Sequence, residues 1–263
     1  MLIIIKFFLC FFYLINFIII NLLWFYFFTY FENNLLRIYF SKISIFFLTN
    51  ISTLLLHNKI QFLNEYKLLQ NKINIINANH TYQFDLFVLY YIFEKNNVKG
   101  NQYSSISSNK NIGIIDKSIL NIINACYIDN ELNENNLEKS LKIWNNRKVN
   151  TYVINFFEGI CKCDFHGDSK YKYLLNPKYI ALIKLKKYGI NTINDINIIY
   201  TQNGKILNCK NKDIFYKIIF EDIKIFVEIN KYNIPNNNLE KWIDNLYLLK
   251  DKKISKNLIY LNK

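Results

Sequence analysis

The hydrophobic pattern divides the chain into an apolar N-terminal part and a longer part in which short apolar runs alternate with polar ones. Residues 7–31 form a run of 25 without a charged side chain. As a helix such a run is about 38 Å long, and the hydrocarbon core of a bilayer is roughly 30 Å thick. The run is apolar on every face, and Glu32, Asn33 and Asn34 follow it where a signal peptide would have small residues. The pattern therefore predicts a membrane helix.

A second apolar stretch covers residues 43–56, between Lys42 and Lys59. Its 14 residues are short for a full span and include Ser, Thr and Asn, which is typical of an interfacial or re-entrant helix. Together the two stretches predict an N-terminal membrane anchor over residues 1–60, as one membrane helix or a helical hairpin. Arg37 and Lys42 follow the first run, and this charge bias favours a cytosolic remainder.

Beyond residue 60 the pattern alternates between strand and helix. Short β-branched runs predict strands at 73–78, 125–128, 152–157, 196–200 and 223–229. Longer apolar or helically spaced runs predict helices at 84–93, 113–124 and 137–144. This alternation predicts an α/β domain over residues 61–263, with a mostly parallel sheet flanked by helices and a C-terminal extension from about residue 201.

The composition of the chain limits the classes of molecule that it can be expected to bind. Half of the chain is hydrophobic, which excludes a disordered protein. The net charge of +13 suits anionic lipid headgroups, CoA or nucleic acid, although it also reflects an Asn- and Lys-rich composition. Nucleic-acid binding has no support besides the charge, and the membrane anchor argues against it.

Five cysteines in scattered positions predict reduced thiols rather than a disulfide scaffold. Cys161, Cys163 and His166 lack a fourth zinc ligand at a usual spacing, so we expect no metal.

Candidate chemistry follows the strand predicted at 73–78. His80 lies at its carboxyl end, where open α/β sheets gather ligand groups, and Asp85 lies about one helical turn further on. An aspartate can hold one imidazole nitrogen as N–H, which leaves the other free to accept a proton. The spacing alone equally allows a turn histidine followed by an aspartate that favours the helix dipole.

Six short blocks, in the same order along the chain, carry a resemblance to glycerolipid acyltransferases. The blocks are Asn79-His80 with Asp85, Ala125-Cys126-Tyr127-Ile128-Asp129, Phe156-Phe157-Glu158-Gly159, Leu175-Asn176-Pro177-Lys178, Asp195-Ile196-Asn197-Ile198-Ile199-Tyr200, and residues 229–251 with Ile234, Pro235, Leu239, Trp242, Lys250 and Asp251. The last block is similar to the branch containing 1-acylglycerol-3-phosphate and lysocardiolipin acyltransferases. The resemblance covers roughly residues 70–255 and implies the fold of that family.

The resemblance also implies roles for particular residues. His80 would be the general base and Asp85 would orient it. Glu158 and Gly159 would help to position the acceptor, and Pro177 and Lys178 belong to the same substrate site. The family has arginines where this chain has Asn130 and Cys161. Those arginines are associated with the acceptor phosphate, and Lys162 or Lys170 would replace them as point charges.

The resemblance implies an O-acyltransferase that uses acyl-CoA as co-substrate, without a further cofactor, and acts on a lysophospholipid at the bilayer. The most direct acceptor is 1-acyl-sn-glycerol-3-phosphate, which would yield phosphatidic acid, in the endoplasmic reticulum membrane with the catalytic domain on the cytosolic face. Two alternatives stay open. One is remodelling of lysophosphatidylinositol or lysocardiolipin. The other is a non-catalytic, lipid-binding relative that lost the phosphate arginines.

Overall fold

In a computed structural model of the chain, the described residues are 2–30, 34–65, 67–98, 102–108, 126–128, 134–146, 148–159 and 161–261. The helices are α1 (Leu2–Tyr30), α2 (Asn34–Leu56), α3 (Asp85–Lys95), α4 (Glu134–Asn146), α5 (Ile180–Lys187), α6 (Asn211–Phe220) and α7 (Leu239–Leu261). The strands are β1 (Ile60–Phe62), β2 (Ile73–Ala78), β3 (Gln102–Ser108), β4 (Cys126–Ile128), β5 (Thr151–Asn155), β6 (Thr192–Gln202), β7 (Lys205–Ile206) and β8 (Ile223–Asn233).

The strands form one sheet in the order β1-β8-β6-β2-β5-β3-β4, with β7 paired to β6. All pairs are parallel except β6 with β7 and β6 with β8. The α/β architecture with a mostly parallel sheet is therefore confirmed. The strand predicted at 73–78 matches β2, whereas β6 and β8 extend beyond their predicted ends because they pair with each other over their whole length.

Helices cover both faces of the sheet. Successive residues of β2 point to opposite faces, so Ile75 and Ile76 belong to different hydrophobic clusters. One cluster joins the sheet to α1, α2, α3 and α6, and the other joins it to α4, α5 and α7. A strand buried on both faces needs a continuous apolar run, and this explains why β2 and β5 were readily predicted.

The two N-terminal helices pack against each other and against the domain. Tyr13 of α1 meets Phe47 of α2, and Trp24 meets Phe40, at ring-centroid distances of 6.0 and 5.4 Å. Leu48 and Leu56 of α2 share a hydrophobic cluster with Val88 and Ile92 of α3, so the hairpin and the domain have a common core.

The outer surface of this hairpin is apolar. Among the described residues, Tyr39–Leu56 is long and apolar enough to cross a membrane, and Phe8–Trp24 is a shorter apolar stretch. Exposed large apolar side chains include Phe8, Phe11, Phe12, Ile19, Leu22 and Phe46. An apolar surface of this kind is typical of membrane association. The separate short helix predicted at 43–56 is wrong in extent, because α2 begins at Asn34 and continues through Lys42.

Other sequence-based expectations have mixed outcomes. The helix predicted at 113–124 lies outside the described residues. Helices α5, α6 and α7 and strands β1, β3 and β7 were not predicted. The domain limits at residues 60 and 201 stay a prediction, and residues after 201 supply β8, which lies between β1 and β6.

A buried ion pair connects α7 to the sheet. Lys250 Nζ lies 3.0 Å from Asp195 Oδ1 of β6 and donates to the Ile196 carbonyl oxygen at 2.8 Å, and both charged side chains are 2% exposed. Asn77 of β2 donates its amide to the same Asp195 oxygen. The positive charge of Lys250 therefore compensates a carboxylate that has no access to water.

We expect Lys250→Met to lower the free energy of unfolding by about 3–5 kcal/mol, because Asp195 would keep a buried charge without its partner. Lys142→Met removes the exposed Lys142–Glu138 pair on α4 and is the matched control, with stability expected to be nearly unchanged. Urea unfolding in detergent measures both variants. Equal stabilities would mean that water or another donor reaches Asp195.

Candidate active site

The site forms where adjacent parallel strands end. β2 ends at Ala78 and leads into His80, and its neighbour β5 ends at Asn155 and leads into Glu158. Since parallel neighbours end at the same edge of a sheet, two segments far apart in sequence meet there. β6 continues past this edge, so Tyr200 lies beside the turn after β2.

The carboxylate of Asp85 is the centre of the turn between β2 and α3. Its Oδ2 accepts the backbone N–H groups of Thr81 at 2.7 Å and Tyr82 at 3.0 Å, and lies 3.1 Å from His80 Nδ1. Its Oδ1 accepts the Tyr200 hydroxyl at 2.6 Å. Burial raises the pKa of Tyr200 well above its usual value, and the nearby Asp85 adds to the rise, so the hydroxyl stays a donor.

These contacts determine the histidine tautomer. Asp85 Oδ2 already accepts two N–H donors and can only accept again, so Nδ1 must carry a proton. In a neutral imidazole, Nε2 is then the acceptor. Phe156 stacks on the ring with centroids 4.0 Å apart and an interplanar angle of 16°, which fixes its orientation. The predicted pairing of His80 with Asp85 is present. Asp85 also lies in the first turn of α3, where its charge favours the helix dipole, so the two interpretations of this aspartate are compatible.

Cys161 lies against the same ring. Its Sγ is 3.1 Å from His80 Nε2 and 3.6 Å from Nδ1. Such similar distances to both nitrogens place the sulfur beside the ring rather than in line with the Nε2 lone pair. Burial raises the pKa of the Cys161 thiol, and the charge of Asp85 raises it further, so the thiol is protonated. Sequence reasoning considered Cys161 as a zinc ligand and as a replaced arginine, and it missed this contact.

Glu158 binds the backbone of His80. It is 3% exposed, and its two oxygens accept the backbone N–H groups of His80 at 2.8 Å and Leu175 at 3.3 Å. Burial raises its pKa to about 7, against the lowering effects of these donors and of Lys250. The carboxyl group thus fixes the backbone of His80 to the loop before Pro177.

Gly159 and Lys178 pack together at the surface of the site. Gly159 has φ +77, a conformation that favours glycine, and a Cβ there would meet the Lys178 side chain at 3.0–3.3 Å. Lys178 is exposed, and its backbone N–H donates to the Phe157 carbonyl at 2.6 Å. Pro177 is buried, which supports a role in shaping this turn.

Lys162 and Lys170, the two lysines considered as replacements for arginine, differ in burial and in their contacts. Lys162 is half-buried and its Nζ donates to the Lys172 carbonyl oxygen at 2.8 Å; burial lowers its pKa. Its backbone N–H donates to the His80 carbonyl at 2.7 Å, so it adjoins the histidine. Lys170 instead forms an exposed salt bridge with Asp244 at 2.7 Å. Asn130 lies outside the described residues.

The C-terminal helix supports the loop from which these side chains project. Asp251 accepts the backbone N–H groups of Lys172 at 3.2 Å and Tyr173 at 2.6 Å. Lys250 and Asp251 carried part of the sequence resemblance, and both stabilise the site from outside it.

The raised pKa of Glu158 makes stability depend on pH. The folded state favours the protonated carboxyl, so this contribution is fully present below the ordinary pKa of 4.5 and is lost as the pH rises through about 7. Relative to Glu158→Gln, which does not titrate, the wild type is expected to lose up to about 3 kcal/mol over this interval. Thermal unfolding of both proteins across the interval measures the difference. Parallel pH profiles would contradict it.

Comparisons with known proteins agree with this arrangement at the level of the fold. No family model and no curated protein matches the sequence. Among solved structures, the chain is similar to the crystal structure of the 1-acyl-sn-glycerophosphate (LPA) acyltransferase PlsC from Thermotoga maritima, with a TM-score of 0.51, 12% identity and 97% of each chain covered. At 12% identity, the similarity applies to the fold alone. The chain therefore has an α/β fold similar to that of a glycerolipid acyltransferase.

Proposed function

We propose that this protein is a membrane-anchored O-acyltransferase that transfers a fatty acyl group from acyl-CoA to the hydroxyl of a lysophospholipid. The observation that carries the proposal is the 3.1 Å contact between His80 Nδ1 and the buried Asp85, which leaves Nε2 as a proton acceptor at the edge of an acyltransferase-like sheet. A general base at this place suits an acceptor hydroxyl that must lose a proton as it attacks.

The chemistry needs no covalent enzyme intermediate, because the thioester of acyl-CoA is already activated. His80 Nε2 takes the proton from the lysophospholipid hydroxyl while the oxygen attacks the thioester carbonyl. The tetrahedral oxyanion then collapses and expels the CoA thiolate, which recovers the proton from His80. Asp85 stabilises the transient imidazolium, as the orienting carboxylate does in acyl-transfer triads.

The most direct acceptor is 1-acyl-sn-glycerol-3-phosphate, with phosphatidic acid as product. Its phosphate needs cations near His80, and Lys162 and Lys178 are the candidates, one beside the histidine backbone and the other over Gly159. Glu158, Gly159 and Pro177 support this acceptor side by fixing the loops that carry the lysines. A lysine ammonium is a point charge, whereas the planar guanidinium of arginine donates two parallel hydrogen bonds to a phosphate. Because this site has lysines, acceptors with other headgroups also belong in the test.

The apolar hairpin supports a location at the bilayer, where both the acceptor and the acyl chain reside. We place the enzyme in the endoplasmic reticulum membrane with the catalytic domain on the cytosolic face, where acyl-CoA would be available as co-substrate.

The test is acyl transfer by the full chain in membranes of an acyltransferase-deficient host, with labelled acyl-CoA and a panel of lysophospholipids that includes lysophosphatidylinositol and lysocardiolipin. One acceptor is expected to be acylated. His80→Ala is expected to lower kcat by about 100- to 10,000-fold because the base is removed, and Asp85→Asn by a similar factor because the tautomer is lost.

The matched control is His166→Ala, which removes an exposed histidine and is expected to keep full activity. Equal activity of His80→Ala and the wild type would overturn the assignment of the base. Absence of turnover with every acceptor, by a folded and membrane-bound protein, would favour the non-catalytic lipid-binding alternative.

The acceptor phosphate gives a second prediction. Lys162→Ala or Lys178→Ala is expected to raise the acceptor KM about 10-fold, the cost of one charged hydrogen bond, with little change in the KM for acyl-CoA. Lys187→Ala, on the exposed end of α5, removes the same charge and is the control. Steady-state kinetics that show equal effects of all three variants would mean that only the overall charge matters.

A further inference from the structure

We propose that the outer face of α6 is a second membrane contact, which lies in the headgroup region of an anionic bilayer and holds the loops beside His80 against the lipid. The inference rests on the proposed function for its location at a bilayer and for its kinetic consequence. The contact itself is measured without turnover, and it involves a helix outside the N-terminal hairpin.

Helix α6 has one buried face and one exposed face. Ile214 and Ile218, four positions apart, are buried in the hydrophobic cluster that α6 shares with α1, α2 and α3. Lys212, Tyr216 and Phe220, with the same spacing, are exposed. Residues four positions apart lie on one side of a helix, so this second stripe points away from the sheet.

The exposed face of α6 carries two aromatic rings. Tyr216 is 61% exposed and Phe220 is 53% exposed, and their ring centroids are 4.9 Å apart, so the rings form one apolar surface. Leu86, in the first turn of α3, is exposed as well, and the adjacent Phe87 packs on Phe215 of α6 with centroids 5.5 Å apart. A surface with apolar rings and a phenol hydroxyl suits the boundary between acyl chains and headgroups, where tyrosine is enriched.

This surface is continuous with the apolar hairpin. Just after the end of α2, Lys59 Nζ donates to the carbonyl oxygen of Glu221, the residue that follows α6, at 2.9 Å. Phe215 also packs on Phe84 at a centroid distance of 5.3 Å, beside α3, which shares its core with α2. Helices α2, α3 and α6 therefore form one layer on the same face of the sheet. A bilayer that receives the hairpin would lie beside α6.

The charges at the start of α6 favour an anionic surface. Lys210 and Lys212 are exposed there, and Asp213 is the acidic residue of the first turn. Lys217 forms a salt bridge with Glu221 at 2.8 Å, so its charge is already compensated. A lysine close to an anionic bilayer strengthens binding about fivefold. Lysines beside exposed aromatic rings are typical of a helix that lies in the membrane interface.

The first residue of α6 connects the helix to the loops of the candidate site. Asn211 Oδ1 accepts the backbone N–H of Gln83, in the turn after His80, at 2.9 Å. The side-chain amide of Asn211 donates to the carboxylate of Asp164, in the segment that packs against that turn. A lipid contact of α6 would therefore hold both loops at the surface where the acceptor lies, and the acceptor hydroxyl could reach His80 without leaving the bilayer.

The contact is tested by fluorescence of the full chain in vesicles of equal parts phosphatidylcholine and phosphatidylglycerol, with bromine on acyl carbons near the headgroups. Tyr216→Trp adds a fluorophore on α6. Tyr188→Trp, at an exposed tyrosine after the end of α5 on the other side of the sheet, is the matched control. Bromine is expected to quench most of the fluorescence added by Tyr216→Trp and almost none of that added by Tyr188→Trp. Quenching of Trp24 in the parent chain reports insertion of the hairpin.

The anionic preference is tested in brominated vesicles of phosphatidylcholine alone. The fluorescence added by Tyr216→Trp is expected to be quenched less than in the mixed vesicles, because Lys210 and Lys212 lose their lipid counter-charges. Equal quenching in both kinds of vesicle would overturn the preference for anionic lipid.

The consequence for acyl transfer is tested with two acceptors. Tyr216→Ser is expected to raise the KM for a long-chain lysophospholipid in vesicles about 3- to 10-fold, because the apolar contact of one large ring is lost. The KM for a short-chain, water-soluble lysophospholipid is expected to stay the same, since this acceptor does not depend on the bilayer. Tyr188→Ser is the control, with both values unchanged.

Two results would overturn the α6 contact: equal quenching of Tyr216→Trp and Tyr188→Trp in vesicles that quench Trp24, or an equal rise of both KM values in Tyr216→Ser, which would indicate a structural role. The fluorescence separates this inference from the proposed function. A chain that acylates a lysophospholipid without the α6 signal lacks the contact and keeps the function. A chain with the α6 signal that acylates nothing contradicts only the proposed function.

Discussion

The carboxylate of Asp85 is the interaction on which the site depends. A fully buried carboxylate is costly unless its oxygens are satisfied, and here one oxygen faces three N–H donors and the other accepts a hydroxyl. Those donors come from the turn after β2, from the His80 ring and from β6. Satisfying this one group therefore joins the turn before α3, the protonated imidazole nitrogen and the part of β6 that extends past β2.

A second layer of polar contacts holds the site from below. Glu158 ties the His80 backbone to the Leu175 loop, and the buried pair of Lys250 with Asp195 lies behind it. Asp251, the next residue on α7, binds the loop that carries Lys172. The residues that resembled an acyltransferase thus include Lys250 and Asp251, which hold the sheet and the neighbouring loop rather than the His80 ring.

The sequence revealed those parts of the fold that have a local signal. β2 and β5 are buried on both faces and give continuous apolar runs, and His80 and Asp85 are only five positions apart. β3, with the sequence Gln-Tyr-Ser-Ser-Ile-Ser-Ser, has no such run, so it could not be predicted. The contacts of Cys161 with His80 and of Lys250 with Asp195 span 81 and 55 positions, and only the sheet order brings them together.

The shared core of α2 and α3 has a thermodynamic consequence. Leu48 and Leu56 are buried against the same cluster as Val88 and Ile92, on the helix that begins with Asp85. With the proposed membrane location, insertion of the hairpin and folding of the domain would be linked equilibria, because α2 supplies part of the core of the domain. A version that begins at residue 60 would leave one face of α3 without its partner helix, so removal of the proposed anchor would also destabilise the helix that begins with Asp85.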